Sequence, residues 1–196
     1  MKHFIYPFVL VTFYFFSSAA TSQLAEYEIC NQDHVKCLEI LPATYEKIDK
    51  HSAAWFRLKN FELDAYFYLE RFEPLLAATS ELVKLQNTPQ EFQFALAIYH
   101  AKALFAQDSN SAIGFEYVNK AKAIYQQRHA IYVAPRRMIF YANLLLEEAD
   151  KIRQQVSKQE HMATLREAYH VLNQVKKDYM HLSAPDFQID LYSNLY

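Results

Sequence analysis

The residues whose types and spacing could do chemistry are few. Cys30 and Cys37 are the two cysteines of the chain, with six residues between them. From Tyr117 to Leu146 there is no Asp or Glu, yet the window holds Lys120, Lys122, Arg128, Arg136 and Arg137, with His129 among them. A cationic island in a chain of formal net charge −2 is uneven charge, which steers anionic partners. Arg136 and Arg137 follow Pro135 at a predicted helix start, where the helix dipole disfavours cations. A local rule broken in this way is what a functional site can look like. The two arginines and the open N–H groups of the first turn would suit a carboxylate or phosphate. Tyr99, Tyr117, Tyr125, Tyr132 and Tyr141 surround the island. Tyrosine offers contact area at little entropic cost and carries a polar tip. Arg128, Tyr132, Arg136 and Arg137 are therefore the candidate partner-binding residues. The alternative is a solvated basic face, with the tyrosines filling the core.

Other chemistries lack their residues. Gly114 is the single glycine of the chain. Phosphate-cradling loops, dinucleotide-binding turns and the G-x-S-x-G nucleophile elbow each need at least two glycines, so none can be built. No H-E-x-x-H occurs, and His161 and His170 fall on opposite faces of a helix. The acidic run Glu147-Glu148-Ala149-Asp150 reads as a solvated face, because adjacent positions diverge on a helix. No metal and no cofactor is expected. A net-acidic chain also lacks the cationic surface that nucleic acid requires.

The N-terminus reads as an export signal, residues 1–20. Lys2 and His3 precede an apolar run from Phe4 to Phe16, and Ser17-Ser18-Ala19-Ala20 supplies the small residues of a cleavage site after Ala20. The run is short against the roughly 20 residues of a membrane span. Cys30 follows Glu28-Ile29, so lipidation is not expected. The mature chain, 21–196, should enter a periplasmic or extracellular compartment with no membrane insertion after cleavage. Oxidising surroundings then predict a Cys30–Cys37 disulfide, with two free thiols as the alternative.

The elements that would position these residues are helices. Asp33 caps a helix His34–Leu41 that should stop near Pro42, and a second stretch covers Ala43–His51. Ser52 caps Ala53–Phe72. Glu73-Pro74 opens a helix to about Gln86. Thr88-Pro89-Gln90-Glu91 reads as a capping box with Pro89 at the first helical position, leading to about Ala106. Helices Ala112–Gln127, Pro135 to about Ser157 and Met162–His181 follow, with a non-helical link His129–Ala134. A last amphipathic stretch runs Asp186–Tyr196. No strand alternation is sustained. The fold class expected is all-α, with antiparallel helical hairpins stacked as a short α-solenoid.

The hairpin from Ile98 to Ile124 resembles a tetratricopeptide repeat. Ile98, Ala101 and Phe105 occupy the first-helix positions, and Gly114, Val118 and Ala121 the small, large and small positions of the second. Ala168, Leu172 and Val175 echo the second-helix pattern. Lys102 stands where the family has a small residue, the proline after the second helix is missing or late, and the hairpin spacing exceeds the family's period of about 34 residues. The resemblance implies a scaffold that binds a peptide or protein in a groove, without catalysis. The chain is also similar to the extracytoplasmic sensor regions of membrane-bound signalling proteins such as diguanylate cyclases, which implies a sensory or docking half as an alternative. An all-α enzyme with an unrecognised site is the third reading. The apolar pattern Phe187–Tyr196 has no polar cap, which leads us to expect an oligomer or additional chain at that end.

Overall fold

Side-chain caps set where several helices begin. Asp33 accepts a hydrogen bond from the Lys36 N–H at 2.9 Å, and Ser52 from the Trp55 N–H at 3.2 Å. Ser111 does the same for Gly114 at 3.1 Å. Each satisfies a donor that the first turn leaves open. The computed structural model describes residues 25–127 and 135–179. The leader, Arg128, Tyr132, the link His129–Ala134 and the stretch Asp186–Tyr196 lie outside the described residues. The described residues form α1 (25–32), α2 (His34–Tyr45), α3 (Ala53–Tyr68), α4 (Phe72–Leu82), α5 (Gln90–Gln107), α6 (Ala112–Gln126), α7 (Pro135–Ile152) and α8 (Lys158–Tyr179), with no strand among them. No described helix is long and apolar enough to cross a membrane. The chain divides between Arg71 and Phe72 into two compact units.

In the first unit, α2 and α3 run antiparallel. The Tyr45 ring near the end of α2 meets Trp55 near the start of α3 at 6.5 Å, and His34 at the start of α2 stacks on Tyr68 at the end of α3 at 4.5 Å. Cys30 and Cys37 are joined by a disulfide, both buried with Leu41 and Leu58 in the core of this unit. Closing so short a loop removes about 2–3 kcal/mol of unfolded-chain entropy in the loop model. Glu62 is held by the Tyr45 hydroxyl at 2.7 Å and by Lys59 Nζ at 2.6 Å. Burial and then the Glu62 carboxylate push the Tyr45 phenol well above its ordinary range.

Helix α2 does not stop at Pro42. It continues to Tyr45, with Pro42 inside it and exposed. A proline inside a helix removes one hydrogen bond and costs about 3 kcal/mol in an ordinary interior. Here it lies one turn from the helix end. The buried Leu41 and Thr44 on either side hold the last turn down, and Thr44 Oγ1 donates to the Ile40 carbonyl at 3.0 Å. The expected stretch Ala43–His51 is accordingly a helix end followed by turns.

The second unit is organised by α5. Phe92, Phe94, Ile98, Tyr99, Ala101 and Phe105 are all buried, and α5 packs against α4, α6 and α7. Phe105 meets Phe115 at 5.0 Å, and Phe94 meets Tyr125 at 6.4 Å, so α5 and α6 form an antiparallel hairpin. Tyr141 of α7 closes on Phe94 at 5.3 Å and on Tyr125 at 4.8 Å, and its hydroxyl donates to Glu167 of α8 at 2.8 Å.

Several expected boundaries move: α3 ends at Tyr68, short of Phe72, and α4 at Leu82, short of Gln86. At α5, Pro89 is the N-cap residue with no side-chain cap, and the Gln93 amide donates to the Thr88 carbonyl at 2.8 Å in place of a Thr88–Glu91 box. The capping box forms at Ser157 and Glu160 instead. Ser157 Oγ accepts from the Glu160 N–H at 3.2 Å, and Glu160 Oε2 accepts from the Ser157 N–H at 3.0 Å. That box starts α8 at Lys158, and α7 ends at Ile152 ahead of a turn over residues 153–156. The acidic run on α7 is not a solvated face either. Glu147 pairs with Lys102 at 2.6 Å and Lys151 at 3.3 Å, while buried Glu148 takes Lys122 Nζ on both carboxylate oxygens, at 2.8 and 2.6 Å. The two adjacent acids diverge, one toward α5 and one toward α6.

Glycine is used against its usual role. Among the described residues, positive φ occurs at His51 (66°), Glu70 (53°) and Asn87 (58°), whereas Gly114 has no positive φ. At Glu70 the chain makes a Schellman ending, with the Arg71 N–H on the Tyr66 carbonyl at 2.8 Å and the Glu70 N–H on the Phe67 carbonyl at 3.0 Å. Gly114 instead lies against the Phe105 ring, where an added Cβ would sit 2.5 Å from Cε1. Phe115 and the Lys151 ammonium, 4.9 Å from the ring centroid, leave that ring little room to shift. Gly114→Ala should therefore destabilise by about 1–3 kcal/mol, although Ala normally favours a helix interior. Glu70→Gly should stabilise by about 0.5–1 kcal/mol, the left-handed penalty less the added unfolded-state entropy. Urea midpoints of the two variants check both signs.

Candidate functional site

The second unit carries a small cleft where α4 ends, α5 begins and α6 passes its midpoint. Leu82 and Leu85 form one wall, Gln93 and Leu96 the floor, and Tyr117 and Lys120 the facing wall, around a volume of about 130 Å³. The sequence folds this way because α5 must be covered. Its N-terminal half turns Leu96 and Ala97 toward the exit of α4, and Tyr117 and Lys120, three apart on α6, share one face. Asn87 at φ 58° reverses the chain between α4 and α5, and the Gln93 side chain ties that turn down through the Thr88 carbonyl.

Beside the cleft sits a buried polar cluster. His100 is 6% exposed, its Nδ1 lies 2.8 Å from Thr79 Oγ1, and its ring packs edge-on against Tyr117 at 4.4 Å. Thr79 Oγ1 also lies 2.8 Å from the Leu75 carbonyl and 3.1 Å from the Leu76 carbonyl. When its proton serves either carbonyl, it accepts from a protonated His100 Nδ1. Burial and then the nearby Lys120 ammonium push the His100 pKa down. Thr79 is fully buried, so its hydroxyl is closed to any substrate in this packing.

The described residues of the basic island have different surroundings. Lys122 is neutralised by Glu148, and Lys120 faces the cleft. The Arg137 guanidinium lies 4.6 Å above the Tyr99 ring and 5.8 Å from Phe140, so it covers the core end of α7. Arg136 is half-buried on the same turn. Arg128 and Tyr132 are outside the described residues, so the four candidate residues are not seen as one surface. Tyr99, Tyr125 and Tyr141 are buried, and Tyr117 lines the cleft. Thr79, His100, Gln93 and Leu85 were not singled out by sequence. None belongs to a motif, and they meet only through the packing of three helices.

Among the described residues no group of three or more His, Cys, Asp or Glu could hold a metal ion. Compared with known proteins, the chain matches no family model, no curated protein and no solved structure.

The buried His100 has a pH consequence. A histidine whose folded pKa lies below its unfolded value of 6.5 is neutral in the fold and more readily protonated when unfolded. Its contribution to stability is thus complete above that value and is lost as pH falls through the folded pKa. Lys120 and Tyr117 from α6 and Thr79 from α4 are the charged and polar groups that face it. Wild-type unfolding free energy should decline from pH 7 to pH 5, and His100→Asn, which retains a donor for Thr79, should lose that slope. Equal slopes in wild type and variant would refute the assignment.

Proposed function

We propose that this chain is an exported helical scaffold that binds a peptide segment of a protein partner. The observation that carries this reading is the cleft between α4, α5 and α6. Small-molecule pockets span roughly 300–1,000 Å³. A cleft of about 130 Å³ is suited to one side chain of a larger partner. Its accessible lining is mostly polar, with the Lys120 ammonium and the Tyr117 phenol beside a small aliphatic share, and such a lining suits a polar side chain.

Two further features support the reading. Ile98, Ala101 and Phe105 of α5, and Gly114, Val118 and Ala121 of α6, are buried, the positions on which the tetratricopeptide resemblance rests. Lys102, the departure from that pattern, reaches Glu147. Export is supported by the tripartite leader and by the disulfide, since structural disulfides persist in oxidising compartments. The sensory-half and enzyme readings gain no specific observation.

A photo-crosslinking residue at Leu85, in the cleft wall, tests the function in the producing cell against the same residue at Lys158, exposed on α8. A discrete protein adduct from position 85 and none from 158 is expected, on a chain whose first residue is Thr21. Adducts equally from both positions, or from neither, would contradict a cleft-centred partner.

A further inference from the structure

The cleft has one charge and no counter-charge. Lys120 is the single ionisable cation or anion among the residues that line it, since the others are aliphatic or carry a hydroxyl or an amide. The neighbouring lysines of this helix pair are satisfied: Lys102 by Glu147 and Lys122 by Glu148, each at 2.6 Å. Lys120 has no carboxylate partner among the described residues. Its ammonium lies 5.5 Å from the Tyr117 ring centroid and its field reaches His100, lowering that pKa. The Tyr117 hydroxyl likewise makes no hydrogen bond to a described residue. Two donors on one face of α6 thus look over a cleft walled by Leu82, Leu85 and Leu96. Glu116 stands one turn before Lys120 on α6 and, after burial, helps raise the Tyr117 pKa, but it is exposed, makes no ion pair with Lys120 and does not line the cleft.

Resting on the peptide-binding reading, we infer that the cleft takes the carboxylate of an Asp or Glu side chain from an acidic partner segment that also carries an aliphatic residue. Lys120 forms the ion pair, Tyr117 donates the second hydrogen bond, and the aliphatic neighbour lies on the half-buried Leu85. Charge complementarity selects this occupant. A basic segment would place a cation against Lys120 with no acid in the cleft to offset it, and a neutral one would offer both donors only uncharged acceptors. A carboxylate bonded by an ammonium and a phenol makes charge-assisted hydrogen bonds, about twice as strong as neutral ones.

The test uses the full mature chain and three short fluorescein-labelled peptides of one length, alternating Leu with Glu, Gln or Lys. Anisotropy gives affinity, and amide and side-chain NMR shifts of Gln93 and Tyr117 report binding in the cleft. The Leu–Glu peptide should bind and shift both residues. Lys120→Glu should weaken it about tenfold or more and Tyr117→Phe several-fold, with raised salt weakening wild type. Circular dichroism and the thermal midpoint verify that both variants are folded; Lys120 is exposed, and Lys120→Gln serves if the Glu variant is not. If the Leu–Gln peptide binds the cleft as tightly as Leu–Glu, or Lys120→Glu changes nothing, the acidic occupant is wrong while peptide binding stands. If none of the peptides shifts Gln93 or Tyr117, both are wrong.

Discussion

Helix α5 has almost no face for solvent, and the rest of the second unit follows from that. From Phe92 to Phe105 its side chains are buried on nearly every side, and a helix apolar all round must be enclosed. Helices α4, α6 and α7 enclose it. Phe92, Phe94, Ile98, Tyr99 and Phe105 each gain about 1.5–3 kcal/mol from burial, so five of them match the whole stability of an ordinary domain. The surface ion pairs, at about 0–1 kcal/mol each, adjust that arrangement without deciding it. The cleft is a by-product of the same enclosure. It lies where the end of α4 and the middle of α6 both reach α5 and leave a gap over Gln93 and Leu96.

A second constraint is the near absence of glycine. With one glycine in the chain, only one site can be chosen for it, and it goes where α6 lies against the Phe105 ring of α5. Phe105 needs the space that a Cβ at position 114 would take. The left-handed turns are left to His51, Glu70 and Asn87, which adopt that conformation at a cost of about 1–2 kcal/mol each. Packing density therefore outranks turn geometry here. The lone glycine, which made phosphate-cradling loops impossible, is a packing residue in the second unit's core.

Local signals in the sequence were read well, and distant ones were not. Asp33 and Ser52 were legible as caps because the residue type and the following apolar run stand together. The Cys30–Cys37 disulfide was legible because the spacing admits one short loop. The all-helical character followed from periodicity and the lack of glycine turns. Pro42 misled because its cost was read without the buried Leu41 and Thr44 that offset it. Ser157–Glu160 fell in the gap between two expected helices and was not read as a cap, while Thr88–Glu91 matched the same motif and formed no box. The acidic run looked solvated because Lys102 and Lys122 lie 45 and 26 residues from their partners. The same blindness hid the cleft: Leu85, Gln93 and Lys120 have no local pattern in common, and the basic island that contains Lys120 gave no hint that α7 neutralises Lys122 and leaves Lys120 facing a gap.

The claim beneath the fold and the cleft alike is that α5 is the enclosed centre of its unit. Native-state hydrogen exchange reads this directly, because amides protected by the global structure open only when the whole unit unfolds. The amides from Ala95 to Ala103 should exchange most slowly in the second unit, with an opening free energy equal to that of global unfolding, while those of α4 and the outer face of α8 exchange through smaller openings. If the α5 amides exchange as fast as those of α4 or α8, the helix is not enclosed and the account is wrong.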